Sequence, residues 1–184
     1  MSKFFNPKLG FSLLFLLGAP ASLSQNNYAV FELNRENNWD RLITEDLNGD
    51  GAKDIIFAHF DPTNGRELHI YHQQSNGTFS SSPQRIEIKT EIIAIGFADL
   101  RSDPGKELVL LANNGVFSLS TAIEGYSGNI RLLFEWDLVA AIPDQQEIQF
   151  LNSFEDINED GEIDFLLPGE DRFGYFIGKG NEEF

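Results

Sequence analysis

Two stretches of this chain repeat the same four oxygen-bearing side chains at the same spacing. Asp46, Asn48, Asp50 and Asp54 stand at positions 1, 3, 5 and 9 of an Asp-x-Asn-x-Asp-Gly-x-x-Asp segment, and Asp156, Asn158, Asp160 and Asp164 repeat it. Alternating oxygen donors let a chain wrap a hard cation. Gly51 and Gly161 at position 6 permit the sharp turn, and the carbonyl of position 7, Ala52 or Glu162, can add another oxygen. Calcium is the expected ion in both loops, because magnesium sheds water reluctantly and favours octahedral sites with fewer carboxylates. Such clusters also occur in plain turns. Here, however, three carboxylates crowd one loop, and like charges about 4 Å apart cost roughly 1 kcal/mol per pair in water and about 4 near a protein surface.

A third segment aligns with these two but departs from them. Asp99, Asp103 and Glu107 hold positions 1, 5 and 9, while Arg101 takes the ligand position 3 and Pro104 replaces the position 6 glycine. A guanidinium can neutralise the three acids by charge-assisted hydrogen bonds, so the loop from Asp99 to Glu107 is expected to do without calcium. An EF-hand is excluded at position 12, where its bidentate Glu is replaced by Phe57 and Leu167, each inside an apolar run of strand character.

The elements that position these loops form a repeat. The segments 43–57, 96–110 and 153–167 align, with their lead aspartates 53 and 57 residues apart, about the length of four strands and their turns in a propeller blade. In each unit an apolar stretch enters the acidic loop (DRLITED, IIAIGFAD, IQFLNSFED) and a short apolar run leaves it (DIIFAHF, ELVLLAN, DFLLPG). Such runs suit strands buried on both faces. A third strand follows (LHIYHQ, VFSLST, YFIGKG), and in the first two units a fourth (RIEIK, IRLLFEW). Asn76-Gly77 predicts a two-residue hairpin turn between the third and fourth strands of the first unit, and Gly180-Asn181 begins the matching turn in the third. The expected fold is all-β: four-stranded antiparallel propeller blades at about 37–89, 90–141 and, incomplete, 142–184.

The repeat resembles the FG-GAP/VCBS family, the blades of integrin alpha-like β-propellers, from about Trp39 onward. Two of the three loops match its motif residue for residue, while FG and GAP appear only loosely, as Gly96-Phe97 and as GKGNEEF. The resemblance implies that each calcium loop joins the first two strands of a blade. It also implies rings of usually seven blades, export, and service in adhesion, protein or carbohydrate binding, or as accessory domains of larger secreted proteins. Three blades cannot close such a ring, and an open fan exposes sheet edges. The expectation is therefore that the chain is the N-terminal part of a longer propeller, the alternative being an assembly that completes the ring in trans. Ala29 to Leu33 (AVFEL) reads as a strand ahead of the first blade.

Composition agrees with an exported, cation-binding module. Lys3 and Lys8 precede a mostly apolar run from Leu9 to Ala19, and small residues follow, which predicts a signal peptide over residues 1–24 cleaved after Ala21 or Ser24. Eleven helical residues reach only about 17 Å, short of the roughly 30 Å of a bilayer core, so no stable membrane insertion is expected after cleavage. The destination is the periplasm, the cell surface or the exterior, where calcium is plentiful. The net charge of -16 becomes -18 once the two leader lysines are removed, which gives nucleic acid no electrostatic footprint. The absence of cysteine excludes disulfides, thiolate metal sites and thiol nucleophiles.

Catalytic motifs are absent, so the segment is expected not to be an enzyme. His69 and His72, three apart on one strand, are expected to face opposite sides, and all three histidines read as partly exposed. Trp39, Trp136, Tyr126 and Tyr175 are the candidates for a sugar-stacking or protein-binding face. The function expected is a calcium-stabilised module that binds protein or polysaccharide. The alternative is the propeller of a secreted polysaccharide lyase or hydrolase whose catalytic residues lie mostly elsewhere.

Overall fold

The computed structural model describes Val30, Glu32 and residues 41–184, Glu124 and Ile142 excepted. The leader, Trp39 and AVFEL apart from Val30 and Glu32 lie outside the described residues. Among the described residues there is no helix, and hence none long and apolar enough to cross a membrane. The described residues form eleven strands in three antiparallel sheets. Strands β1 (Leu42–Glu45), β2 (Asp54–Asp61), β3 (Gly65–Tyr71) and β4 (Gln84–Ile88) make the first sheet in sequential order. Strands β5 (Ile92–Ala98), β6 (Glu107–Ala112), β7 (Gly115–Ser120) and β8 (Arg131–Phe134) make the second. The third holds β9 (Phe154–Glu155), β10 (Asp164–Gly169) and β11 (Arg172–Phe176), with β10 in the middle. Each acidic loop joins the first two strands of its sheet, as in propeller blades.

The continuous apolar runs follow from the stacking of sheet on sheet. Every residue of β6, ELVLLA, is buried, because alternate side chains enter opposite cores. Leu108 and Leu110 pack with Ile56, Leu68, Ile70 and Ile86 of the first sheet. Val109 and Leu111 pack with Phe154, Phe165 and Leu167 of the third. A strand with one wet face would alternate apolar and polar residues. This one cannot.

Two local expectations are corrected. The IQFLNSFED run was expected to be one strand leading into the third loop, but β9 spans only Phe154–Glu155. Upstream of it the chain pairs with the second sheet: Ile95 donates to the Gln149 carbonyl at 2.8 Å, the Leu151 amide donates to the Ile95 carbonyl at 2.8 Å, and Phe150 bridges Ile95 in parallel. The neighbouring Gly96 makes this approach feasible, since a Cβ there would strike the Phe154 ring and lie 2.6 Å from the Leu151 carbonyl oxygen. The Asn76-Gly77 turn has three loop residues rather than two. Gly77 donates to the Gln74 carbonyl at 2.8 Å, and Gln73 bridges Phe79. Only Gly77 is left-handed, at φ 79°, so this is a turn closed by a bulge; a type I′ turn would need Asn76 left-handed as well. A turn of that kind does occur at Gly180, where Asn181 and Glu182 are both left-handed and Glu183 donates back to the Gly180 carbonyl.

Phe165 is fully buried between the second and third sheets, against Phe134, Phe154 and Phe184. Phe165→Ala is expected to cost about 3–5 kcal/mol in urea unfolding, while Leu166→Ala, one residue along on the opposite face, costs under about 1.

Candidate metal centre

The first and third loops share most of their internal wiring and differ at one amide on the lead aspartate, position 4 in the first and position 5 in the third. Asp46 accepts from the Gly49 amide (2.8 Å) and the Gly51 amide (2.9 Å); Asp156 accepts from the amides of Asp160 (3.0 Å) and Gly161 (2.8 Å). Asn48 accepts from the Asp50 amide and donates to its carboxylate, and Asn158 does both to Asp160. The position 5 carboxylate in turn takes the position 7 amide, Asp50 from Ala52 and Asp160 from Glu162. Gly51 and Gly161 sit at φ 84° and 93°, a conformation that L side chains rarely adopt, which is why position 6 is glycine in both.

The position 9 aspartates are set apart. Asp54 and Asp164 are 0% exposed, against the open Asp50 and Asp160. Each takes the position 2 amide on one oxygen, Leu47 to Asp54 and Ile157 to Asp164, both at 3.1 Å. On the other oxygen each takes an amide from just beyond the third strand, Gln73 at 2.9 Å for Asp54 and Gly178 at 2.8 Å for Asp164. A ring completes the set: His72 Nδ1 lies 3.1 Å from Asp54, and the Tyr175 hydroxyl donates to Asp164 at 2.8 Å. Of about four acceptor positions on a carboxylate, three are in use. These residues clamp the base of the loop; Asp54 has one acceptor position left, while Asp164 is also approached by the Asn158 amide.

The Asp164 environment acts in two directions. Burial pushes its carboxyl up, but the bonds from Gly178, Tyr175 and Ile157 outweigh burial and hold it below the usual carboxylate range; the same contact raises the Tyr175 phenol. In the middle loop Glu107 performs the clamp, its Oε2 accepting from Leu100 (2.9 Å) and Arg101 (3.2 Å). There burial prevails and raises the carboxyl.

Arg101 does not do what its position suggests. Rather than bonding the acids of its own loop, its buried guanidinium donates to Glu182 at 2.7 Å, to the Ser118 hydroxyl at 2.9 Å and to the Asn129 carbonyl at 3.3 Å. Arg131 reaches the other oxygen of Glu182 at 2.6 Å, and Ser118 donates to the oxygen that Arg101 holds. Burial raises Glu182, and the Ser118, Arg101 and Arg131 bonds more than reverse that. Arg101 therefore ties the second sheet to the turn that follows the third. Pro104 and Gly105 fit beneath the first loop: a Cβ on Gly49 would come within 2.6 Å of the Gly105 nitrogen and 2.7 Å of Pro104 Cβ.

A family model described as FG-GAP-like repeat matches residues 46–110, from the first loop into β6. The chain carries an FG-GAP-like repeat. The match takes in the first and middle loops; the third lies beyond it and repeats the ligand spacing of the first. No curated protein matches the chain, and no solved structure does.

Among the described residues no three His, Asp or Glu side chains converge around one point as a ready metal cage. The carboxylates of positions 1 and 5 are turned to backbone amides instead. The donor set still fits a hard cation, because it is oxygen throughout and Asp46, Asn48, Asp50 and their equivalents each keep lone pairs beyond the amides they accept. A cavity of about 270 Å³ adjoins the first loop, lined by Leu47, Asn48, His72, Gln84, Thr121 and Ala122.

The other sequence candidates have structural partners. Trp136 donates to the Pro168 carbonyl at 3.0 Å and lies over Gly169 and Gly174, with Arg172 stacked on it. Tyr126 donates to the Glu87 carbonyl at 2.5 Å, and burial pushes its phenol up to about 12. His59 is buried at 7% exposure, contrary to the expectation of a partly exposed strand histidine, and its ring lies 4.5 Å from that of His69. His69 bonds Glu67, whereas His72 bonds Asp54 and Gln84, so these two serve different partners. His72 and Tyr175 are the site residues that the motif alone misses. The signal for His72 is hairpin register, because the Ile55–Tyr71 pair places the residue after β3 opposite Asp54.

Because Asp164 titrates lower in the fold than in the unfolded chain, its contribution is complete above the ordinary carboxylate pKa and is lost as pH falls through the lowered value. Acid unfolding followed below about pH 4 should show this loss, and Asp164→Asn should flatten that limb. Glu107, raised by burial, has the opposite sign and weakens the fold as pH rises through its ordinary value.

Proposed function

We propose that this chain is an exported calcium-binding propeller module in which the ion is structural and the loop-bearing end binds a protein or polysaccharide. One observation carries the reading: two loops in different sheets share one all-oxygen donor set and, at all but one contact, one pattern of amide bonds. Calcium would be held by Asp46, Asn48, Asp50, the Ala52 carbonyl and the last lone pair of Asp54. In the third loop Asp156, Asn158, Asp160, the Glu162 carbonyl and Asp164 would hold it. The ion supplies charge neutralisation to loops that otherwise keep their carboxylates apart by spending them on amides.

The chain's own residues do the rest. The position 9 aspartates fix each loop to its second and third strands, so that an ion held above them also staples the hairpin. Export and the binding role are supported by the leader-like start of the sequence and by the FG-GAP-like repeat. The middle loop is proposed to carry no ion, because Arg101 holds position 3 and Pro104 takes the turn position.

With a site affinity near 10⁻⁴ M and about 1 mM calcium, each ion adds about 1.4 kcal/mol, and two should raise the Tm by roughly 6–10 °C over chelated protein. Asp50→Ala and Asp160→Ala should each remove part of that shift, and the double variant all of it. A Tm that does not respond to chelator in the wild-type chain would falsify the calcium reading.

A further inference from the structure

The middle loop has lost the ligand pattern yet kept its place against the first loop, which it meets through Pro104, Gly105 and Lys106. Gly105 is left-handed at φ 106°, and a Cβ on it would run into the Leu47 carbonyl. Thr121, just past β7, donates its hydroxyl to that same carbonyl at 3.3 Å. Lys106 pairs with Glu45, the last residue before the first loop, at 2.9 Å. Positions 2 to 4 of the first loop are thus bracketed from the second sheet.

The third loop differs at the same positions. Leu47 is 2% exposed, whereas its counterpart Ile157 is 48% exposed. Position 4 is left-handed in both loops, but it is Gly49 in the first, where Pro104 and Gly105 leave no room for a Cβ, and Glu159 at φ 62° in the third. Among the described residues, the hydrogen bonds of the third loop stay within its own loop and sheet.

We infer that Gly105 and Thr121 are positioning residues for calcium in the first loop, so that the two calcium sites are unequal and the first is the tighter. This rests on the calcium reading above. Holding the backbone of positions 2 to 4 in place before the ion arrives removes part of the ordering cost of binding, and the third loop meets that cost in full.

Calorimetric calcium titration of the full chain separates the sites. Asp160→Ala leaves the first loop to bind, and Asp50→Ala leaves the third. The first should bind about tenfold tighter, and Thr121→Val, which deletes one hydrogen bond, should weaken the first roughly three- to tenfold while leaving the third within about twofold. Gly105→Ala should weaken the first loop further still and spare the third; if it does not fold, Thr121→Val decides. Equal affinities of the two loops, or a Thr121→Val effect equal at both, would overturn the inference while leaving calcium binding intact. A wild-type chain that binds no calcium overturns both readings, and it is recognised by its flat titration before any variant is made.

Discussion

A buried carboxylate at the ninth position of each acidic loop is the constraint on which the rest of the molecule depends. Asp54, Glu107 and Asp164 are each 2% exposed or less, and each accepts the amide two residues into its own loop. Taking a carboxylate out of water is costly unless hydrogen bonds replace its hydration. The amides that replace it here come from the loop and, in the first and third sheets, from the chain beyond the third strand. The loop can therefore close in only one way over the second strand, and that closure sets which side chains point outward above it.

Two consequences follow from one anchor. In the first and third loops, the anchor presents Asp46, Asn48 and Asp50, or their equivalents, as an exposed oxygen cluster whose charge is offset, among the described residues, by amides. In the middle loop the anchor persists while the cluster is reassigned. Arg101 leaves for Glu182 across the sheet interface, and Pro104 with Gly105 becomes packing for the neighbour. The degenerate loop is thus a joint between sheets, with buried contacts on both sides of it. The sheets themselves need no ion for their cores, since β6 delivers apolar side chains to both neighbours.

Much of this was legible in the sequence because the information was local. Apolar runs bounded by turn residues give strands, and repeated loop spacing gives the blades, as the three antiparallel sheets bear out. What was not legible depended on distant partners. Nothing near Arg101 in sequence announces Glu182, 81 residues away, so its loop neighbours looked like its natural counter-ions. The motif marks Asp54 and Asp164 as ligands but is silent on their burial, which is set by Gln73, His72, Gly178 and Tyr175 on the far side of a hairpin. Trp136 and Tyr126 looked like binding aromatics because composition does not show the glycine surface or the carbonyl each one meets. The short β9 likewise reflects competition for the Gln149–Leu151 segment by Ile95, a contact between sheets.

The central proposal is that the same anchor supports an ion in the first and third loops and replaces it with protein contacts in the middle one. Anomalous diffraction from crystals grown in calcium tests this directly. The account predicts two peaks, one among Asp46, Asn48 and Asp50 and one among Asp156, Asn158 and Asp160, with none between Asp99 and Glu107. A peak in the middle loop, or none in the other two, would contradict it.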